Sequence, residues 1–102
     1  MLVVQGVQLV TFDFAPSKTS SRSETKPLDP PGGTNRAWAV LKSFDLFYSD
    51  SHQYGYGRLQ VDVEAESVQT AKCTVTLRDD NTDEREWEGG VEALVFFFQA
   101  PE

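Results

Sequence analysis

The densest set of candidate metal ligands is Asp79-Asp80-Asn81-Thr82-Asp83-Glu84. Asp79, Asn81 and Asp83 take the first, third and fifth places of a calcium loop, where oxygen donors at alternate residues suit a hard cation. Glu84 stands where that loop needs glycine, and Gly90 stands where it needs the bidentate glutamate, so an EF-type site is excluded. A looser calcium site on Asp79, Asn81 and Asp83 remains open beside a plainer reading, a charged and solvated hairpin turn.

Nucleophilic chemistry would need a base, and the sole histidine, His52, sits in Ser49-Asp50-Ser51-His52-Gln53. A catalytic triad is a spatial arrangement drawn from separated segments, so three neighbours in one polar run read as a solvated loop. Carboxylates are plentiful, but nothing pairs two of them as general acid and base. Gly55-Tyr56-Gly57, Gly32-Gly33 and Gly89-Gly90 follow no strand-to-helix transition, so they read as turns and bulges, not phosphate cradles. The one cysteine, Cys73, provides neither an internal disulfide nor a metal framework. No catalytic set converges, and the expectation is a non-enzyme without cofactors. Tyr48, Tyr54, Tyr56 and Trp87 are aromatics at loops or strand ends, and such faces either pack on sugars or cap the ends of a core.

The elements behind these residues read as strands. Val10, Phe12 and Phe14 alternate with Thr11 and Asp13, which marks a strand over 2–14 with Gly6 as a candidate break. Residues 37–48 carry apolar side chains on both faces, as in a strand covered on both sides or entering an oligomer contact. Leu59, Val61, Val63 and Ala65 alternate with Gln60, Asp62, Glu64 and Glu66; Cys73, Val75 and Leu77 alternate with Thr74, Thr76 and Arg78. In the last strand, about 87–99, Val91, Ala93, Val95 and Phe97 face one way, and Leu94, Phe96 and Phe98 the other. Both faces of that strand need cover, which argues for a homo-oligomer. Residues 15–36, rich in Ser, Thr, Lys and Pro, show no period and are expected as a long loop, mobile over 17–34. With no helical repeat anywhere, the fold class is all-β: one domain over 1–102, a small antiparallel β-sandwich of about six strands.

Composition narrows the partners. A net charge of −7, with the nine Lys and Arg scattered, disfavours nucleic acid and anionic membranes. The apolar run from Leu94 to Phe98 is too short to span a bilayer, and Met1-Leu2-Val3-Val4 lacks the features of a signal peptide, so the default expectation is a soluble, cytoplasmic chain.

From Trp38 to Phe98 the pattern resembles the H-type lectin domain. The resembling segments are Val40-Leu41-Lys42-Ser43-Phe44-Asp45-Leu46, Gly57-Arg58-Leu59-Gln60-Val61, Ala65-Glu66-Ser67-Val68-Gln69-Thr70-Ala71 and Val91-Glu92-Ala93-Leu94-Val95-Phe96, with Val4-Gln5-Gly6 similar to the family's first strand. The resemblance implies a six-stranded sandwich forming trimers or hexamers that bind glycans at subunit edges. It would place Arg58, Asp80, Asn81 and Trp87 at the ligand site. The turn Arg78-Asp79-Asp80-Asn81-Thr82 has no Trp or His where the family's sugar site commonly has one. That leaves an alternative: a structural oligomerisation domain of a larger assembly that binds no sugar.

Overall fold

The computed structural model describes residues 2–50, 56–79 and 85–101. It is an all-β sandwich of six strands: β1 (Val3–Ser17), β2 (Ser21–Pro27), β3 (Arg36–Tyr48), β4 (Tyr56–Ser67), β5 (Thr70–Asp79) and β6 (Trp87–Gln99). They form two antiparallel three-stranded sheets, ordered β1-β6-β3 and β2-β5-β4. The periods read from β4, β5 and β6 hold, because each of these strands turns alternate residues to the core.

Only the two central strands are sealed along their inner faces. Ala71, Cys73, Val75 and Leu77 of β5 meet Trp87, Val91, Ala93, Val95 and Phe97 of β6 in the core cluster. Val10, Phe12 and Phe14 of β1 close one side of it, and Leu46 and Tyr48 of β3 close the other. Sheets only three strands wide but up to 15 residues long make a rod of 50 × 19 × 17 Å. Its radius of gyration is 16.0 Å, against about 13 Å for a compact domain of this length. A rod has more surface per core residue than a sphere, so the way its long faces are covered matters more.

Half of the segment expected as a loop over 15–36 lies in strands. β1 continues to Ser17, and β2 pairs with β5 from Ser21↔Thr76 to Pro27↔Thr70. The strand shows no apolar period because it is an edge with a wet outer face. Ser21 and Ser23 bond the hydroxyls of Thr76 and Thr74 at 3.1 and 3.0 Å, and the inward-facing Arg22 is polar too. The rest of the segment is tethered as well. Leu28 is buried and its amide donates to Gln69 O. The Asn35 side chain exchanges hydrogen bonds with Ala100 in both directions, at 3.0 and 2.8 Å.

The two adjacent glycines of β6 do different work. Gly89 has φ +143°, and a Cβ there would lie 2.0 Å from Asp45 O of β3. At Gly90 a Cβ would meet only ordinary contacts, 3.5 Å from Phe12 O. Gly89 therefore lets the β3 backbone come close where Leu46 pairs with it.

Candidate functional site

The structure separates the residues assigned to a sugar site. Arg58 lies exposed on the outer face of β4, where Nε and Nη2 donate to Gln60 Oε1 at 3.2 and 2.8 Å. Gln60 Nε2 in turn donates to Asp62 Oδ2 at 2.7 Å. Trp87 is in the other sheet and is 0% exposed. Its Nε1 donates to Thr19 O at 2.9 Å, its ring lies 5.7 Å from Phe14, and the Arg22 guanidinium stacks over it at 3.7 Å. Arg22 also donates to Ala15 O, and to Trp87 O at 2.9 Å, so it bolts β2 onto the opposite sheet. Burial lowers the Arg22 pKa, and the nearby Glu24 charge opposes that shift. Trp87 thus has no free face for a ligand: it follows the core-capping reading, as the buried Tyr48 does. Asp80 and Asn81 lie outside the described residues.

The calcium candidates fare similarly. Asp79 is 0% exposed, and its Oδ2 accepts from Arg85 Nε at 2.9 Å, so a guanidinium already faces that carboxylate. Asn81 and Asp83, like His52, lie outside the described residues. Among the described residues no three His, Cys, Asp or Glu side chains group as metal ligands. Cys73 is a core residue whose thiol is pushed up to about 11, first by burial and second by the Asp62 charge.

A feature the candidate residues did not mark is the outer face of the β1-β6-β3 sheet. Register aligns its side chains in rows across the three strands: Val4, Phe98 and Arg36; then Val7, Phe96 and Trp38; then Leu9, Leu94 and Val40. The edge members of this grid are Val4 at 60%, Val7 at 52%, Leu9 at 52%, Trp38 at 56% and Val40 at 46% exposed, with the exposed Arg36 as its one charged corner. Phe98 is 9% exposed yet stands apart from the core cluster, because the Trp38 ring covers it from outside at 4.7 Å between centroids. Beyond Leu94 the same face turns polar. Thr11, Glu92 and Ser43 form one row, with Glu92 taking Ser43 Oγ at 3.0 Å and Lys42 Nζ at 3.6 Å. Asp13, Gly90 and Asp45 form the next, and past them Glu88 pairs with Phe47, which is 45% exposed.

The outer face of the other sheet is the opposite in chemistry. Its rows read Ser21, Thr76 and Gln60, then Ser23, Thr74 and Asp62, then Thr25, Lys72 and Glu64. That face pairs hydroxyls across its strands, whereas on the grid of β1, β6 and β3 every side chain but Arg36 is apolar. Half of it was legible in the sequence, in the two-sided apolar runs of residues 37–48 and 87–99. Val7 and Leu9 face opposite to Val10, Phe12 and Phe14 by plain alternation, and the bulge between Val4 and Gly6 shifts the phase so that Val4 joins them on the outer face. Comparison of the chain with protein-family models, with curated proteins and with solved structures gives no match.

Proposed function

We propose that this chain is a self-assembling β-sandwich module, and that the outer face of its β1-β6-β3 sheet is the contact between copies. The observation that carries this reading is the contrast between the two outer faces: one a polar ladder, the other three consecutive rows that are apolar but for Arg36 at one corner. The exposed apolar area of those rows is on the order of 600 Å², the upper end of what a typical monomer leaves bare. Two such faces would bury about 1,200 Å², the lower bound of specific protein interfaces. Burial of such area is the main driving force of association. The glycan-binding reading keeps Arg58 as an exposed polar group but loses the platform that Trp87 was to supply, so assembly is the stronger of the two.

Light scattering at micromolar concentration tests it. The wild type is expected at a multiple of 11.4 kDa. Leu9→Asp and Val40→Asp are expected at the monomer mass with an unchanged β signature in circular dichroism, because both side chains are half-exposed in the single chain. The same change at Val95, which is fully buried, should unfold the subunit by leaving an unpaired charge in the core. A wild type that stays monomeric at hundreds of micromolar overturns the reading, and glycan-array binding by that monomer would restore the sugar-binding alternative.

A further inference from the structure

The outer face of the β1-β6-β3 sheet is polarised along the rod. Its three apolar rows cluster at one end and are centred on the row of Val7, Phe96 and Trp38. Its other end carries Asp13 and Asp45 on either side of Gly90, both exposed, with Phe47 of β3 an exposed apolar side chain past them. Among the described residues neither aspartate has an ion pair, whereas Glu92, one row nearer the centre, is held by Lys42 and Ser43.

Resting on the self-assembly reading, we infer that two copies pack these faces together about a two-fold axis over Phe96, with their strands antiparallel. The apolar rows require this placement. An axis over Phe96 sets the Leu94 row of one copy on the Phe98 row of the other, so apolar side chains meet apolar ones everywhere but at the edge, where Arg36 of the Phe98 row lies against Val40. Moving the axis toward Gly90 would put Trp38 against Glu92 and Ser43. Charge then selects the direction. Packed sheets lie about 10 Å apart. With strands parallel, Asp13 and Asp45 of one copy would face the same residues of its neighbour at about that separation, close to the ~8 Å screening length at physiological salt. With strands antiparallel, each acidic end lies six residues from the axis. At about 3.3 Å per residue the two ends are then roughly 40 Å apart, and their repulsion is screened out. The two buried areas together reach the range a specific dimer needs. The product is a four-layer stack in which each β1-β6-β3 sheet becomes an inner layer, covered on both faces like the sheets of a larger sandwich.

The experiment combines mass with a distance between labels. Phe47→Cys, an exposed position of β3 that leaves Asp13 and Asp45 in place, is spin-labelled; Cys73 is buried and stays unlabelled. Light scattering of the labelled full chain is expected at twice 11.4 kDa, and pulsed electron–electron resonance should give a label separation of roughly 50 Å, because Phe47 lies opposite Glu88, eight residues from the axis on each side. A dimer with labels closer than about 20 Å means parallel packing, and so overturns the antiparallel axis while leaving self-assembly standing. A trimeric mass overturns the two-fold in the same way. A monomeric mass for the wild type removes the underlying reading itself.

Discussion

Gly89→Ala is the substitution that most directly tests the β3–β6 register on which the apolar grid depends. A Cβ at Gly89 would sit 2.0 Å from Asp45 O, 3.0 Å from Asp45 C and 2.9 Å from Leu46 Cα. All three are backbone atoms of β3, which cannot swing aside as a side-chain tip can. The backbone conformation adds to the problem, since φ +143° belongs to a region that only glycine enters freely. Holding alanine there costs about 1–3 kcal/mol. Forcing the strands apart costs about 1–3 kcal/mol more, the scale of overpacking a tight interior. The expected loss is therefore on the order of 4 kcal/mol, a large part of the stability of a domain this small. At about 4–8 °C per kcal/mol for a domain of this size, the melting temperature should fall by roughly 20 °C. Gly90→Ala is the internal control: its Cβ would meet Phe12 O at 3.5 Å and Asp13 Oδ1 at 3.6 Å, ordinary contacts. It should cost under about 1 kcal/mol, within the range of routine substitutions. Thermal unfolding and urea titration of the two variants beside wild type give the comparison. Equal losses, or a larger loss at Gly90, would mean that β3 does not approach β6 at Asp45–Leu46, and the row assignments on the outer face would fail with it.

Two further predictions concern groups inside the rod. Arg22→Ala removes the cation stacked on Trp87 and the bonds to Ala15 O and Trp87 O, so it should destabilise by about 2–3 kcal/mol, as loss of charge-assisted bonds does. Trp87 emission should shift red in the native state as water reaches the ring; an unchanged spectrum and midpoint would show that the bolt carries no strain of packing. Cys73 should resist alkylation in the native state at pH 8 and react only with unfolding. Burial pushes its folded pKa up to about 11, above the ordinary thiol value of 9.0, so the native state holds the proton more tightly. The resulting stability is fully present below pH 9 and lost as pH rises through about 11, a decline of roughly 2–3 kcal/mol. Cys73→Ser should flatten that alkaline slope in urea midpoints taken from pH 8 to 11, and an equally steep slope in the variant would assign the decline to other groups.

Which residues share a face within a strand is readable from their alternation in the chain. The alternation of Leu59 to Ala65, of Cys73 to Leu77 and of Val91 to Phe97 places each inner row correctly, because side chains alternate strictly along a pleated strand. The two-sided apolar character of residues 37–48 and 87–99 likewise marked the strands that carry apolar side chains on both faces. Tertiary structure alone decided the rest. β2 exists because β5 offers it a backbone ladder and Thr74 and Thr76 offer it hydroxyls, and neither leaves an apolar period in Ser21–Pro27. Trp87 is a core residue and not a ligand platform because Arg22 and Phe14, more than 60 positions away in the chain, close over it. Gly89 and Gly90 are indistinguishable as neighbours in a sequence, and only the β3 backbone beside one of them makes that one irreplaceable. Periodicity is local, whereas edge pairing, closure over a ring and the apposition of Val7, Phe96 and Trp38 in one row are set by contacts between distant segments.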